Sequence, residues 1–387
     1  MKHDRKIIYL AGFLFSLSVA LMSYINSSFL SSFVGEKLVG IIYTIGSIIS
    51  ILALLIAPQI FRKIGGYRFL LLVIGLDALS ILSFVLTKNV WGIIIAFIFS
   101  FTLNIIIVFS LDELLKIFSK NSRTGGVRGA YLAITSLAWI LSQLVLALMF
   151  DETKRIFSFQ NIYLLAFFIM ILFFLLSLST LNNITDPKYD KIKIIKFVKK
   201  FFKNKNLFRA YSINFLLQFF FCWMIIYTPI YLSAHLGFNW KQIGVIFAIM
   251  LLPFSILPFH LGKYSDKIGE RKMLMLGFLI VSLSTFTLFF IQKNEIWIWA
   301  LALFSTRIGA ATVEVMSDAY FFKHIKMENE EFVGIYRSAF PVAFVIGPLL
   351  ASIILIFVPS FNFIYIVLGS LMLCGIYLSS TIRKKDI

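Results

Sequence analysis

Residues 40–70 read GIIYTIGSIISILALLIAPQIFRKIGGYRFL and residues 244–274 read GVIFAIMLLPFSILPFHLGKYSDKIGERKML. Laid on one another at an offset of 204, they pair Gly40, Ile42, Ile45, Lys63, Ile64, Gly65 and Leu70 with Gly244, Ile246, Ile249, Lys267, Ile268, Gly269 and Leu274. Each opens on an apolar run of the length that a helix needs to cross a hydrocarbon core, about 20 residues. Each closes on a basic, glycine-containing turn into a further apolar run. At an offset of 205 a second pair of segments agrees, with Gly129, Tyr131, Ala138 and Leu144 on Gly334, Tyr336, Ala343 and Leu349. Two independent segments at nearly one offset indicate a chain made of two related halves.

Working outward, apolar runs bounded by charge or turn residues place spans at 7–32, 38–61, 68–87, 90–111, 127–150, 160–182, 207–234, 240–261, 273–292, 296–321, 332–357 and 361–381. The composition agrees, because 60% of the 387 residues are hydrophobic and 14% are charged, whereas soluble domains have about a quarter charged. The expected fold is an all-α integral membrane protein with twelve transmembrane helices in two pseudo-symmetric six-helix bundles. Residues 1–182 form the first bundle, 183–206 a basic linker, and 207–387 the second bundle. The N-terminal MKHDRK runs into an apolar stretch too long for a signal-peptide core, so it reads as an uncleaved first span.

Charge position sets the orientation. With the N-terminus inside, cytoplasmic segments hold 28 of the 36 Lys and Arg residues and the outer loops hold six. That asymmetry predicts both termini in the cytoplasm of a cell membrane. It also accounts for the net charge of +18 without nucleic acid, since Lys191, Lys193, Lys196, Lys199, Lys200, Lys203 and Lys205 lie in an inner linker beside anionic membrane lipid.

A parallel six-plus-six repeat has a functional meaning: two similar bundles can rock about a central site and expose it to each side in turn. Transport of a small-molecule substrate is therefore expected. A phosphate loop of the form G-x-x-x-x-G-K-[ST] is absent, as is H-E-x-x-H, and the four histidines are scattered. The reading excludes an enzyme, a cofactor and a metal site; Cys222 and Cys374, both in apolar runs, make no disulfide framework. One chain already supplies two bundles, so a monomer suffices.

The stretch GKYSDKIGERK (262–272) resembles the signature of the major facilitator superfamily, with Gly262, Asp266, Lys267, Gly269, Arg271 and Lys272 in its specified positions. The first-half counterpart, PQIFRKIGGYR (58–68), departs from it at Pro58 and Arg62. The resemblance implies a twelve-helix secondary transporter and a cytoplasmic gate in which this loop latches against the start of the fifth span, near Gly126 to Gly129 and Arg128. It also implies that the first, fourth, seventh and tenth helices line a central cavity.

The tenth span carries the sharpest constellation, ALFSTRIGAATVEVMSDAYFFK (302–323). Arg307, Glu314 and Asp318 fall within about 20° of one stripe at 3.6 residues per turn. Charges in lipid are costly and face a cavity or a partner. Arg307 and Glu314 are read as the substrate and proton site, and Asp318 as the structural partner of Arg337 in the eleventh span. Tyr24, Asn26, Asn214, Gln218 and Tyr227, with Trp223, are further cavity candidates, each equally able to bind helix to helix. Asp77 in the third span is read as a buried, partnered acid, and Asp112 and Glu113 as interfacial. Proton coupling suits the buried carboxylates. Direction stays open, because the fifth helix reads AWILSQLVLAL (138–148), without the G-x-x-x-G-P-x-x-G of drug and proton antiporters in the superfamily. Drug efflux, symport, uniport and a non-transporting sensor or assembly protein on the same fold all remain admissible.

Overall fold

The computed structural model describes residues 2–118, 124–180, 194–325 and 331–382, and every regular element among them is helical. In chain order the helices are α1 (Lys2–Ser23), α2 (Asn26–Val34), α3 (Glu36–Ile64), α4 (Gly66–Leu86), α5 (Val90–Phe118), α6 (Thr124–Met149), α7 (Arg155–Thr180) and α8 (Ile194–Lys203). They continue with α9 (Lys205–Ile230), α10 (Trp240–Ile268), α11 (Glu270–Phe290), α12 (Ile296–His324), α13 (Glu331–Arg337), α14 (Ala339–Phe357) and α15 (Phe363–Ser380). Eleven helical segments among the described residues are long and apolar enough to cross a membrane, and Ala133–Met149 within α6 is apolar over a shorter stretch.

The chain divides into two compact units: Met1–Asp190 with Asn239–Ala248, and Lys191–Phe238 with Ile249–Ile387. Within the first, α1 packs on α6 and α7, and α4 on α5 and α7. Its core is aromatic: Phe84 stacks on Tyr163 at 4.5 Å, Phe29 meets Tyr163 edge-on at 5.0 Å, and Tyr43 meets Phe97 at 4.7 Å. Within the second, α9 packs on α14 and α15, and α11 on α12 and α15. The pairing order repeats, so the sequence repeat is also a packing repeat. Outward-facing Leu79, Leu148, Trp91 and Phe357 are exposed, as expected where lipid is the solvent.

Several expectations change in detail. The stretch 262–272 is not a loop: Gly262 to Ile268 continue α10 and only Gly269 leaves helical geometry before α11 begins. Gly269 has φ 83°, and its repeat partner Gly65, between α3 and α4, has φ 85°. A side chain is strained there, so the repeat preserves glycine where a one-residue corner needs it. Two spans read as continuous are broken. The first bends at Tyr24–Ile25, where Ile25 N–H bonds three residues back to Met22 O at 3.1 Å. The eleventh breaks at Ser338, whose hydroxyl donates to Ile335 O at 2.6 Å; Pro341, lacking an N–H, follows in the first turn of α14. The fourth span runs on to Phe118, because hydropathy falls after Leu111 while helix-forming residues continue. The basic linker ends in the helix α8, whose apolar and lysine residues alternate at helical spacing.

Candidate functional site

α12 carries Arg307, Glu314 and Asp318. Thr306, Arg307, Gly309, Ala310 and Ala311 are all buried. The small side chains let α11 come close: a Cβ on Gly309 would meet Gly277 O at 2.6 Å and Val281 N at 2.7 Å. That contact presses one side of α12 against α11. The Arg307 guanidinium instead lies over the rings of Phe220 and Phe221 on α9, at 5.1 and 5.5 Å. Aromatic faces attract a cation most when it is desolvated, so the pair makes a buried arginine tolerable in an apolar bundle.

Two turns further along, Glu314 is partly exposed and lies in the electrostatic field of Asp318, Arg337 and Arg307. One more turn on, Asp318 accepts from Arg337 Nη2 at 3.2 Å and from Tyr336 Oη at 3.0 Å. The Tyr336 hydroxyl also pairs with Ser317 at 2.8 Å, and its ring stacks on Phe321 at 4.0 Å. Asp318 therefore sits in a network joining α12 to α13.

The candidates on α9 contact the neighbouring helices. Asn214 Nδ2 donates to Tyr336 O at 3.1 Å, and Gln218 Nε2 donates to Asn214 Oδ1 at 3.2 Å. Trp223 Nε1 donates to Gly347 O at 2.8 Å and Tyr227 Oη to Pro348 O at 3.2 Å. The bonds of Asn214, Trp223 and Tyr227 tie α9 to α13 and α14, and that of Gln218 stays within α9. In the first unit Tyr24 is buried between Trp139 and Phe247, at 6.0 and 4.7 Å. Asn26 Oδ1 accepts from Tyr163 Oη at 2.9 Å. Asp77 is fully buried on α4, with Ser100 of α5 beside it.

Of the signature residues, Gly269 makes the corner, Arg271 is half-buried and Lys272 exposed. The side chains of Asp266 and Lys267, of Asp112 and Glu113, and of Arg128 lie outside the described ones. Sequence reasoning missed Glu270, at the signature's unspecified position. Its buried carboxylate pairs with Lys323 at the end of α12. The one available signal was an acid at the first position of a helix, where it also faces the positive end of the helix dipole. Among the described residues no group of three or more His, Cys, Asp or Glu is placed to hold a metal ion.

The family model described as Major Facilitator Superfamily matches residues 211–386. The nucleoside transporter NupG aligns at a TM-score of 0.77 and 9% identity, over 97% of this chain and 99% of that one. The second half of the chain thus matches the superfamily's model, and the whole chain has the fold of solved transporters. A POT family transporter in complex with 5-aminolevulinic acid aligns at a TM-score of 0.81 and 12% identity, over 99% of this chain and 96% of the other. The POT family transporter PepTSo aligns at 0.79 and 9%, over 98% and 97%. At these identities the likeness is one of fold. No curated protein sequence matches the chain. Together with the eleven apolar helices of spanning length, the match and the fold mark a multi-pass membrane protein built like solved transporters.

Proposed function

We propose that the protein is a proton-coupled secondary transporter that moves a small solute across the cell membrane by alternating access. Its twelve membrane spans form two six-helix bundles, 1–182 and 207–387, with both termini in the cytoplasm. The observation that carries the reading is a buried arginine, Arg307, on the same helix stripe as Glu314 and Asp318 in a major facilitator fold. Arg307 and Glu314 serve as the substrate and proton site; Asp318 and Arg337 hold the helix ends together. Asn214, Gln218 and Tyr227 shape the site's walls within the second unit, and Tyr24 and Asn26 are the corresponding candidates of the first. The signature at Gly262, Asp266, Lys267, Gly269, Arg271 and Lys272 serves as the cytoplasmic gate. The fold's neighbours, which include nucleoside and POT family transporters, favour a polar organic solute.

The test begins with thermal unfolding of the purified protein against sugars, amino acids, nucleosides, peptides, organic anions and drugs at two pH values. A ligand at a hundredfold excess over Kd stabilises the folded state by about 2.7 kcal/mol. The stabilising ligand is then followed into proteoliposomes under an imposed pH gradient. Glu314→Gln is expected to abolish gradient-driven accumulation while leaving ligand-induced stabilisation in place. Accumulation that persists in that variant removes Glu314 from the coupling step, and accumulation indifferent to the gradient overturns proton coupling.

A further inference from the structure

We propose that α8 and the first turn of α9 form a binding site for the headgroup of an anionic phospholipid. Between Asp190 and Asp266 the chain contains no acid, and Lys199, Lys200, Lys203, Lys205 and Arg209 crowd into its α8–α9 corner. Among the described side chains of α8, Phe201 docks the helix. Phe201 is fully buried against Phe332, Tyr211 and Phe321, at 5.5, 6.2 and 6.4 Å. Lys200 lies over the Phe332 ring at 5.7 Å, and Arg209 is engaged with Asn206 Oδ1 at 2.9 Å.

Lys199, Lys203 and Lys205 remain exposed. At 100° per residue Lys199 and Lys203 share a face one turn apart, bordering the edge that carries Phe202. Phe202 is 39% exposed and Phe208 49%, with their rings 6.1 Å apart. The corner thus presents a ledge of cations above a partly exposed aromatic edge, where Phe202 also meets Tyr211 at 5.2 Å. An interfacial helix has that layout, with apolar rings towards acyl chains and lysines at headgroup level. A soluble anion would use the cations alone and leave the phenyl rings in water. An anionic phospholipid satisfies both. The proposal depends on the inside orientation above only for which leaflet supplies the lipid, so failure of the transport reading leaves it standing.

The test measures phosphatidylglycerol and phosphatidylcholine binding to the detergent-purified full chain by native mass spectrometry. The wild type is expected to bind phosphatidylglycerol more tightly than phosphatidylcholine. Joint Lys199→Gln, Lys203→Gln and Lys205→Gln substitution should weaken phosphatidylglycerol binding about a hundredfold, given the size of one lysine's attraction to an anionic surface. The corresponding three Lys→Arg changes should keep it, and so should Lys37→Gln with Lys293→Gln. Unchanged phosphatidylglycerol binding in the triple Gln variant overturns the proposal, as does equal competition by inorganic phosphate. Hydrogen exchange on the wild type supplies a check that needs no variant. Phosphatidylglycerol, and not phosphatidylcholine, should slow exchange across residues 198–209, and equal protection by both overturns the site.

Discussion

The two units repeat one packing scheme but treat charge differently. α5 and α12 are both 29 residues long; aligned end to end, Phe101 occupies the place of Arg307 and Val108 that of Glu314. Phe101 packs against Tyr43 and Phe97, each at 5.7 Å, and needs no counter-charge. α4 and α11 differ in the opposite sense. At the offset of 204 the buried Asp77 lies on Val281, whose N a Cβ on Gly309 would meet at 2.7 Å. The first unit therefore buries its acid in the helix whose counterpart serves as a packing surface. The second puts its charges on the helix that faces the aromatic side chains of α9. Every intramembrane charge costs several kcal/mol unless partnered. Duplicated scaffolds need not duplicate that cost, and one charged stripe is enough to give a site its chemistry.

The contrast can be broken most directly at Arg307. Arg307→Met should lower transport by about a hundredfold, the scale of one charge-assisted contact. Phe101→Leu, at the aligned position, should leave it within about twofold. Initial uptake rates in proteoliposomes decide between them, and equal losses would mean that the asymmetry has no functional weight.

The second contrast is in helix approach. Gly309→Val must push a side chain into Gly277 O and the Val281 backbone, and overpacking of that kind costs about 3 kcal/mol. Gly75→Ala on α4 meets only Phe174, at 3.7 Å. It should be neutral or gain up to about 1 kcal/mol through helix propensity. Thermal unfolding in one detergent reads both, and a tolerated Gly309→Val would show that α11 and α12 can separate.

The Asp318–Arg337 pair should matter less. With side-chain exposures of 28% and 46%, its coupling should lie near the value for screened pairs, about 0.2–1 kcal/mol. Exchanging the two charges should restore part of the expression that either single reversal loses; failure of the exchange to do so would place the strength of this corner in Tyr336 instead.

The smallest effect separates two corners. Asp151, between α6 and α7, accepts from Thr153 N and Oγ1 at 3.0 and 2.7 Å. Those bonds, with Lys154 nearby, hold its exposed carboxyl below the usual carboxylate range. A depressed acid stabilises the fold above its unfolded pKa of about 4, and that contribution is lost as pH falls through the folded value. The α14–α15 corner uses the neutral Asn362, which donates to Phe289 O at 3.0 Å. Asp151→Asn should therefore flatten the acid limb of the stability curve slightly, and Asn362→Ala should lower stability equally at every pH.

Much of this was legible in the residues one at a time. Apolar runs of spanning length declare helices because a bilayer leaves the backbone no other partner. The repeat at 40–70 and 244–274 declares two halves, and its two corner glycines, Gly65 and Gly269, take matching φ values because a one-residue turn admits little else. The stripe of Arg307, Glu314 and Asp318 follows from helical periodicity alone.

Tertiary structure decided the partners. Asn26 and Tyr163 are 137 residues apart, Asn214 and Tyr336 are 122, and Glu270 and Lys323 are 53. A polar residue in an apolar run has the same local pattern whether it binds a solute or another helix. The bend at Tyr24–Ile25, the break at Ser338 and the docking of α8 through Phe201 depend on where other helices lie. Hydropathy is a property of each residue and its neighbours in the chain, so the apolar runs, the repeat and the place of each charge along its helix could be read without the fold. Which buried group each polar atom meets, and which face of α8 is left uncovered, depends on contacts between segments far apart in the chain, and only the folded units supply them.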